Sequence, residues 1–464
     1  MTVVHREIKF SGGVEAQRVE LADDGTVTTT VAGQQPTAAN PTAASIGRAQ
    51  TIAAAQRADL IPPSAVYIPR GWGSAAWYPA LTASGSSLAK VAIVGDSISQ
   101  GFDASTIANS WVGLLRSALQ ARYGDGGSGF VGVMWSKLMS TATATNYATL
   151  HDATVELSAT GWTAYQNDTV QATGDGPGGC TIYANSSSRT ATFKTVRGSK
   201  VSLWFERIGT SASPNTGGKI DWTIDGSAQT QIDTAGAVAA ATPEAATVTG
   251  LSTGTHTVVA TTNVSAGTQY VNIAGCAGEN TTGVVVHNYA KSGLRAAALA
   301  TQGASAYGNM AAWSGGQSNQ ADLVVLAVGV NDARANIAAD TYIASIRKAL
   351  DQIKSLGSRN GAVDVLIVMT PVGKWENSGA GPGGSTVLYA DYCLRMRGIA
   401  ECYGAAFVNL WTVGRNNWDA LNAVNYWSNG HSGTGNSGSD GVHPGDTGHR
   451  WIFDQLTAAV PVLG

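Results

Sequence analysis

Stretches of apolar residues that alternate with helical segments constrain the fold more than any other feature of this sequence. The apolar stretches cover about 90–94, 322–328, 364–369 and 405–410. Helices are predicted at about 107–123, 340–356, 385–403 and 446–460. In the second of these, an apolar stripe at helical spacing is formed by Ile343, Ile346, Leu350 and Ile353. Strands that are apolar throughout need cover on both faces, so we predict an α/β domain with a doubly wound, flavodoxin-like parallel sheet.

The central segment, from about 150 to 280, has a different period. In the stretch VSLWFERI, apolar and polar side chains alternate, so that Val201, Leu203 and Phe205 share one face of a strand. Gly, Asn and Ser turns separate several such stretches, and helical periodicity is almost absent. We therefore predict an all-β sandwich, jelly-roll-like, that is inserted into the α/β domain.

The N-terminal part differs from both. Residues 6–32 alternate around Gly-Gly and Asp-Asp-Gly turns, which predicts a small β unit. An Ala-rich stretch bounded by prolines follows and predicts a helical connector, whose weak heptad could form a homotrimer seam or dock on the next domain. The predicted units are a β unit at 1–35, a connector at 36–62, the α/β domain at 63–149 and 283–464, and the insert at 150–282.

Composition and charge exclude several classes of function. The 28 basic and 31 acidic side chains give a net charge of -3, and no basic stripe is present, so a nucleic acid partner is not expected. No apolar stretch approaches the length of about 20 residues that a helix needs to cross a membrane. The N-terminal sequence MTVVHREIKF is too polar for a signal peptide, so we expect no secretory targeting.

The four cysteines do not form a scaffold. They lack any CxxC spacing, and Cys393 and Cys402 are predicted on one helix, too far apart to bond. Cys180 and Cys276 both fall in strand-like sequence. For this pair, a disulfide and two buried thiols remain open.

Polar clusters stand where predicted strands end. Ser97 lies in GDS after the first apolar stretch, Gly293 in KSG after VVV, and Asn331 in GVND after the second. Ligands of open parallel sheets bind beyond the carboxyl ends of the strands. Near the C terminus, DGVH places Asp440 three residues before His443, a spacing that lets the carboxylate hold Nδ1–H and leaves Nε2 as a base. Together these clusters predict a site for nucleophilic catalysis.

In this order, the four blocks resemble those of the SGNH, or GDSL, hydrolase superfamily. The resemblance implies that Ser97 is the nucleophile, His443 the general base and acid, and Asp440 its orienting carboxylate. It also implies an oxyanion hole formed by the backbone N–H groups of Ser97 and Gly293 with the side-chain amide of Asn331. Neither a metal nor a cofactor is expected. The N-terminal part and the β insert lie outside the resemblance.

Two alternatives to this mechanism remain. His443, Asp446 and His449 could bind a metal, although Asp446 is predicted as a helix N-cap and His449 in the first turn of that helix. A binding or structural protein, such as a phage receptor-binding protein, could also retain a hydrolase scaffold without activity.

The expected substrate is an acyl ester, in particular an acetyl ester on a cell-envelope polysaccharide, because a β insert beside an esterase site resembles the accessory modules of carbohydrate esterases. Trp162, Tyr165, Trp204 and Trp222 could stack on sugars or fill the sandwich core. Lipid esters are the alternative substrate. The architecture resembles tail-associated hydrolases of bacteriophages, which predicts a virion location, action at the host envelope, and tail proteins as partners.

Overall fold

The computed structural model describes residues 3–11, 14–22, 27–31, 63–133, 154–158, 161–166, 177–209, 216–236, 242–265, 268–300, 321–356, 362–372, 385–414, 421–427 and 443–464. The connector predicted at 36–62 lies outside the described residues. The helices among the described residues are all too short or too polar to cross a membrane.

The strands follow one another in chain order as β1 Val3–Ser11, β2 Val14–Ala22, β3 Val27–Val31, β4 Val66–Tyr67, β5 Leu88–Gly95, β6 Gly129–Gly132, β7 Val155–Leu157, β8 Thr163–Gln166, β9 Cys180–Ala184, β10 Thr190–Arg197, β11 Lys200–Gly209, β12 Thr216–Gly217, β13 Lys219–Ile224, β14 Ser227–Ala228, β15 Ile232–Asp233, β16 Ala235–Gly236, β17 Thr242–Thr249, β18 Thr255–Asn263, β19 Gln269–Glu279, β20 Gly283–Asn288, β21 Leu323–Ala327, β22 Asp364–Met369 and β23 Ala406–Asn409. The helices are α1 Trp77–Thr82, α2 Ser97–Gln100, α3 Trp111–Tyr123, α4 Ala296–Ala300, α5 Val330–Arg334, α6 Ala339–Leu356, α7 Ser385–Tyr403, α8 Leu410–Val413 and α9 Asp446–Ala459.

The predicted α/β domain is confirmed. Its sheet has the order β20-β5-β21-β22-β23-β4, in which all neighbours are parallel except β23 and β4. Strands β5, β20, β21, β22 and β23 are buried throughout, as their apolar sequences require. The apolar stripe of α6 packs on this sheet, with Ile346, Leu350 and Ile353 buried.

The helix predicted at about 107–123 begins later than expected. Ser110 caps α3, because its side chain accepts a hydrogen bond from the backbone N–H of Gly113 at 3.1 Å. The preceding residues 107–109 form a separate 3-10 turn. The stretch between α2 and α3 is therefore a loop.

The predicted β-rich insert is confirmed as well. One sheet has the order β14-β13-β18-β10-β7, with β15 paired to β13. The other has the order β16-β11-β19-β9-β8 and also takes in β12, β17 and β6. Side chains of both sheets share one apolar core, which includes Val201, Leu203 and Phe205 as the alternation predicted. The small N-terminal unit, β1-β2-β3, is an antiparallel sheet.

The opposite face of β11 is also buried. Trp204, which points away from the sandwich core, belongs to the apolar core of the α/β domain. Trp162 and Trp222 lie in the core of the insert, where their indole N–H groups donate to the carbonyls of Thr190 and Thr230, each at 3.0 Å. These three tryptophans therefore fill cores and do not offer faces to a sugar.

The structure shows whether Cys276 takes part in a disulfide. It is a free thiol, buried within the insert core. A disulfide to Cys180 is therefore not formed. Cys393 and Cys402 both lie on α7, as predicted, and both are free.

A buried carboxylate links the insert to the α/β sheet. Glu279, at the end of β19, accepts from the Lys90 ammonium on β5 at 2.8 Å, from Lys200 on β11 at 2.9 Å and from His287 Nε2 on β20 at 3.1 Å. Burial alone would raise the pKa of Glu279, but the His287 hydrogen bond and the two lysine charges hold it well below its ordinary value. Glu279 is therefore an anion, shared by strands of both domains.

We expect Glu279→Gln to destabilise the protein by about 3–5 kcal/mol, because it leaves the buried Lys90 ammonium beside a neutral amide. The matched control is Glu244→Gln, which removes a half-exposed partner of Arg207 and should cost at most about 1 kcal/mol. Urea unfolding followed by circular dichroism measures both. Equal losses in the two variants would contradict a special role for the Glu279 link.

Candidate active site

Ser97 is carried past the carboxyl end of β5 by a tight turn. A side chain at Gly95 would place its Cβ 2.4 Å from the Cβ of Ser99, so only glycine fits there. Asp96 then caps α2, because its carboxylate accepts from the Ile98 backbone N–H at 3.0 Å. Ser97 is the first residue of this short helix and is 6% exposed.

His443 meets Ser97 although the two are remote in sequence. Its Nε2 lies 2.8 Å from the hydroxyl oxygen of Ser97, which is hydrogen-bonding distance. The residues next to His443 are anchored: Pro444 forms a β-bridge with Trp427, and the Gly445 N–H donates to the Tyr426 carbonyl at 3.1 Å. An imidazole held in this position can take the hydroxyl proton from a serine.

Asp440 lies outside the described residues. Its contact with Nδ1 of His443 therefore stays a prediction.

The segment of Gly293 lies beside the nucleophile turn. The Lys291 N–H donates to the Gly95 carbonyl at 2.9 Å, and the Ser292 N–H donates to the Gln100 side-chain oxygen at 2.8 Å. Gly293 itself has φ +76°, a conformation that favours glycine. These contacts join the second block of the sequence to both ends of α2.

Asn331 belongs to α5, which follows β21, the neighbour of β5. Its side-chain amide donates to the Leu294 carbonyl at 3.3 Å. An amide nitrogen carries two hydrogens, so one remains for another acceptor. The structure thus brings the Gly293 segment next to Asn331, as a shared oxyanion hole would require.

Several residues of this neighbourhood were not singled out from the sequence. Gln100 and Asn288 tie α2 to the Gly293 segment, the latter by donating to the Ser99 carbonyl at 2.8 Å. Asp332 accepts from the Ala296 N–H at 3.0 Å. Asp332 belongs to the block GVND, so the sequence already placed it near the site. The positions of Gln100 and Asn288 beside the site could be recognised only from the fold.

The residues of the metal alternative have other partners. Both oxygens of Asp446 accept from the loop between α2 and α3. His449 is fully buried, with Nε2 at 3.0 Å from the Phe102 carbonyl and Nδ1 at 3.4 Å from the Trp111 N–H. Asp446 is the first residue of α9 and Gly445 is its N-cap, so the predicted capping role of Asp446 is wrong. Its side chain is held instead by the neighbouring loop.

Two buried carboxyl groups lie behind the site. Burial raises the pKa of Asp96 to about 6, although the hydrogen bond from Ile98 opposes this. Burial also raises the pKa of Asp332 to about 7, and the charge of Asp96 adds to that increase. Both groups therefore change protonation near neutral pH.

Asp332→Asn tests this electrostatic arrangement. The pKa of Asp332 is higher in the folded protein than in the unfolded chain, so folding is favoured by protonation, and its contribution to stability is lost as pH rises through about 7. The asparagine variant imitates the protonated form at every pH. We expect it to be more stable than the wild type by a few kcal/mol at about pH 8, and by much less at about pH 4. Thermal unfolding at several pH values measures the difference, and a difference that does not vary with pH would contradict the assignment.

Comparisons with known proteins find similarity to acylhydrolases. Residues 238–451 match the model of the GDSL-like lipase/acylhydrolase family. The matched range contains Gly293, Asn331 and His443 but starts after Ser97. A comparison with curated protein sequences finds no match.

A comparison with solved structures finds several similar chains. A peptidoglycan O-acetylesterase is similar over 82% of this chain and 94% of its own, with 18% identity and a TM-score of 0.53. A family two carbohydrate esterase from Clostridium thermocellum, in complex with cellohexaose, is 14% identical over 60% of this chain and 93% of its own, with a TM-score of 0.26. One from Cellvibrio japonicus is 14% identical over 67% of this chain and 100% of its own, with a TM-score of 0.24. Residues 238–451 are therefore similar to the GDSL-like lipase/acylhydrolase family, and this match supports a carboxylic ester hydrolase activity.

Proposed function

We propose that the protein removes acetyl groups from a cell-envelope polysaccharide through an acyl-enzyme on Ser97. The observation that carries this proposal is the 2.8 Å contact between the Ser97 hydroxyl and His443 Nε2. A serine hydroxyl is a poor nucleophile until a neighbouring base takes its proton. This contact supplies such a base at the carboxyl edge of the sheet.

The proposed reaction has two halves. Ser97 Oγ attacks the acyl carbon while His443 Nε2 takes its proton, and the tetrahedral oxyanion accepts hydrogen bonds from the N–H groups of Ser97 and Gly293 and from the Asn331 amide. His443 then protonates the leaving alkoxide, which departs as an alcohol. In the second half, water attacks the acyl carbon while His443 takes the water proton. The bond between Ser97 Oγ and the acyl carbon then breaks, His443 returns the proton to Ser97 Oγ, and the free acid leaves. Asp440 is proposed to stabilise the imidazolium.

The choice of an acetyl group on a glycan rests on two observations. The peptidoglycan O-acetylesterase whose fold is similar matches over 94% of its own chain. The β insert of this protein packs on the α/β domain through Trp204 and Glu279, and we propose that it helps to hold a long substrate. Buried tryptophans do not provide that binding, so other residues of the insert would.

A location in a phage virion, with tail proteins or a homotrimer as partners, stays a prediction. The connector, which was one of the features that suggested it, lies outside the described residues.

A panel of p-nitrophenyl acetate, butyrate and octanoate tests the reaction, and acetate release from O-acetylated peptidoglycan tests the polymer. We expect kcat/KM to fall as the acyl chain lengthens. Ser97→Ala should lower kcat on every substrate by at least about 10³-fold, because the nucleophile is lost.

Each alternative has its own outcome in this panel. Preference for octanoate over acetate would favour a lipase. Absence of turnover on every ester by a folded protein would indicate a non-catalytic scaffold. Full activity of Ser97→Ala would reject the proposed nucleophile.

A further inference from the structure

The loop between α2 and α3, residues 101–110, is fastened to the first turn of α9. Asp446 Oδ1 accepts from the Ser105 N–H at 2.7 Å, and Oδ2 accepts from the Ser105 hydroxyl at 2.5 Å and from the Asn109 amide at 3.1 Å. The same helix turn follows directly after His443. Two segments that are remote in sequence, one behind Ser97 and one behind His443, are therefore joined.

His449 makes a second connection to this loop. Burial lowers the pKa of His449 to about 4, so the ring is neutral near pH 7. The Trp111 backbone N–H can only donate, so Nδ1 of His449 accepts from it. The ring proton is therefore on Nε2, which donates to the Phe102 carbonyl at 3.0 Å.

Phe102 is held at both of its backbone polar groups. Its carbonyl accepts from His449, and its N–H donates to the Ser97 carbonyl at 2.9 Å. The Phe102 ring then stacks on the His443 ring, with centroids 4.0 Å apart and planes at 29°. One face of the His443 imidazole is thus covered by a ring whose backbone is fixed relative to Ser97.

We propose that Phe102 is a positioning residue for His443, and that Asp446 and His449 act on catalysis through Phe102. The stacked ring restricts rotation of the imidazole and keeps its Nε2 directed at Ser97. The ring face also attracts the imidazolium that forms in the transition state. This inference rests on the proposed function, because it assigns Phe102 a role in the reaction of Ser97 and His443.

The test compares Phe102→Leu, Phe102→Tyr and the control Phe453→Leu, with p-nitrophenyl acetate as the probe. Leucine keeps an apolar side chain but has no ring, whereas tyrosine keeps the ring. Phe453 is half-buried on α9 and its ring contacts Arg450, so the same substitution is made without touching the stack. We expect Phe102→Leu to lower kcat by about 10- to 100-fold with KM almost unchanged, because a misplaced general base slows the chemical step. Phe102→Tyr should restore most of kcat, and Phe453→Leu should leave it unchanged.

A merely structural role would give a different result. In that case Phe102→Leu would lower the melting temperature but keep kcat, or Phe102→Tyr would fail to restore kcat. Either outcome overturns the proposal. Ser97→Ala, measured alongside, separates this failure from failure of the proposed function. If Ser97→Ala is active, the function itself is wrong. If Ser97→Ala is inactive while Phe102→Leu has normal kcat, only the role of Phe102 is wrong.

The role of the loop contacts is tested by Asp446→Ala. We expect it to lower kcat, and to have little further effect in the Phe102→Leu background, because both substitutions act on the same ring. Effects that multiply in the double variant would show that Asp446 does not act through Phe102. Asp446 is exposed at the N-terminal end of α9, whereas His449 is fully buried. We therefore expect Asp446→Ala to disturb folding less than a substitution of His449.

Discussion

Strand β5 is buried along its whole length and pairs in parallel with β20 on one side and β21 on the other. In a parallel arrangement the carboxyl ends of neighbouring strands meet at one edge. Residues that follow these three strands are therefore brought together whatever their distance in the chain. Ser97, Gly293 and Asn331 are the residues placed in this way, and the C-terminal segment adds His443.

The insert also supports strand β5. Its β11 is buried on both faces, with Trp204 in the core of the α/β domain, and its Glu279 takes hydrogen bonds from Lys90 and His287 of that domain. Lys90 belongs to β5, the strand that leads to Ser97. The insert therefore contributes to the support of the strand behind the candidate nucleophile, in addition to any contact with substrate.

Apolar periodicity in the sequence was sufficient to locate β22 and α7, whose bounds the structure reproduces. The polar clusters predicted that Ser97 and His443 meet. Other contacts between remote elements were not predictable. Alternation in β11 suggested one polar face, yet Trp204 on that face is buried by another domain. The spacing of Asp446 and His449 after His443 suggested a cap or a metal site, whereas the fold uses both to hold the loop that carries Phe102. Such contacts depend on tertiary packing, which local patterns do not encode.

The central claim, that Ser97 is the nucleophile, is tested most directly by trapping the acyl-enzyme. The protein is mixed with excess p-nitrophenyl acetate, quenched with acid during the first turnovers, digested and examined by mass spectrometry. The account predicts one acetyl group on the peptide that contains Ser97, and none on that peptide from His443→Ala, in which the hydroxyl lacks its base. An acetyl group confined to another residue, or steady turnover with no acetylated peptide and an active Ser97→Ala, would contradict it.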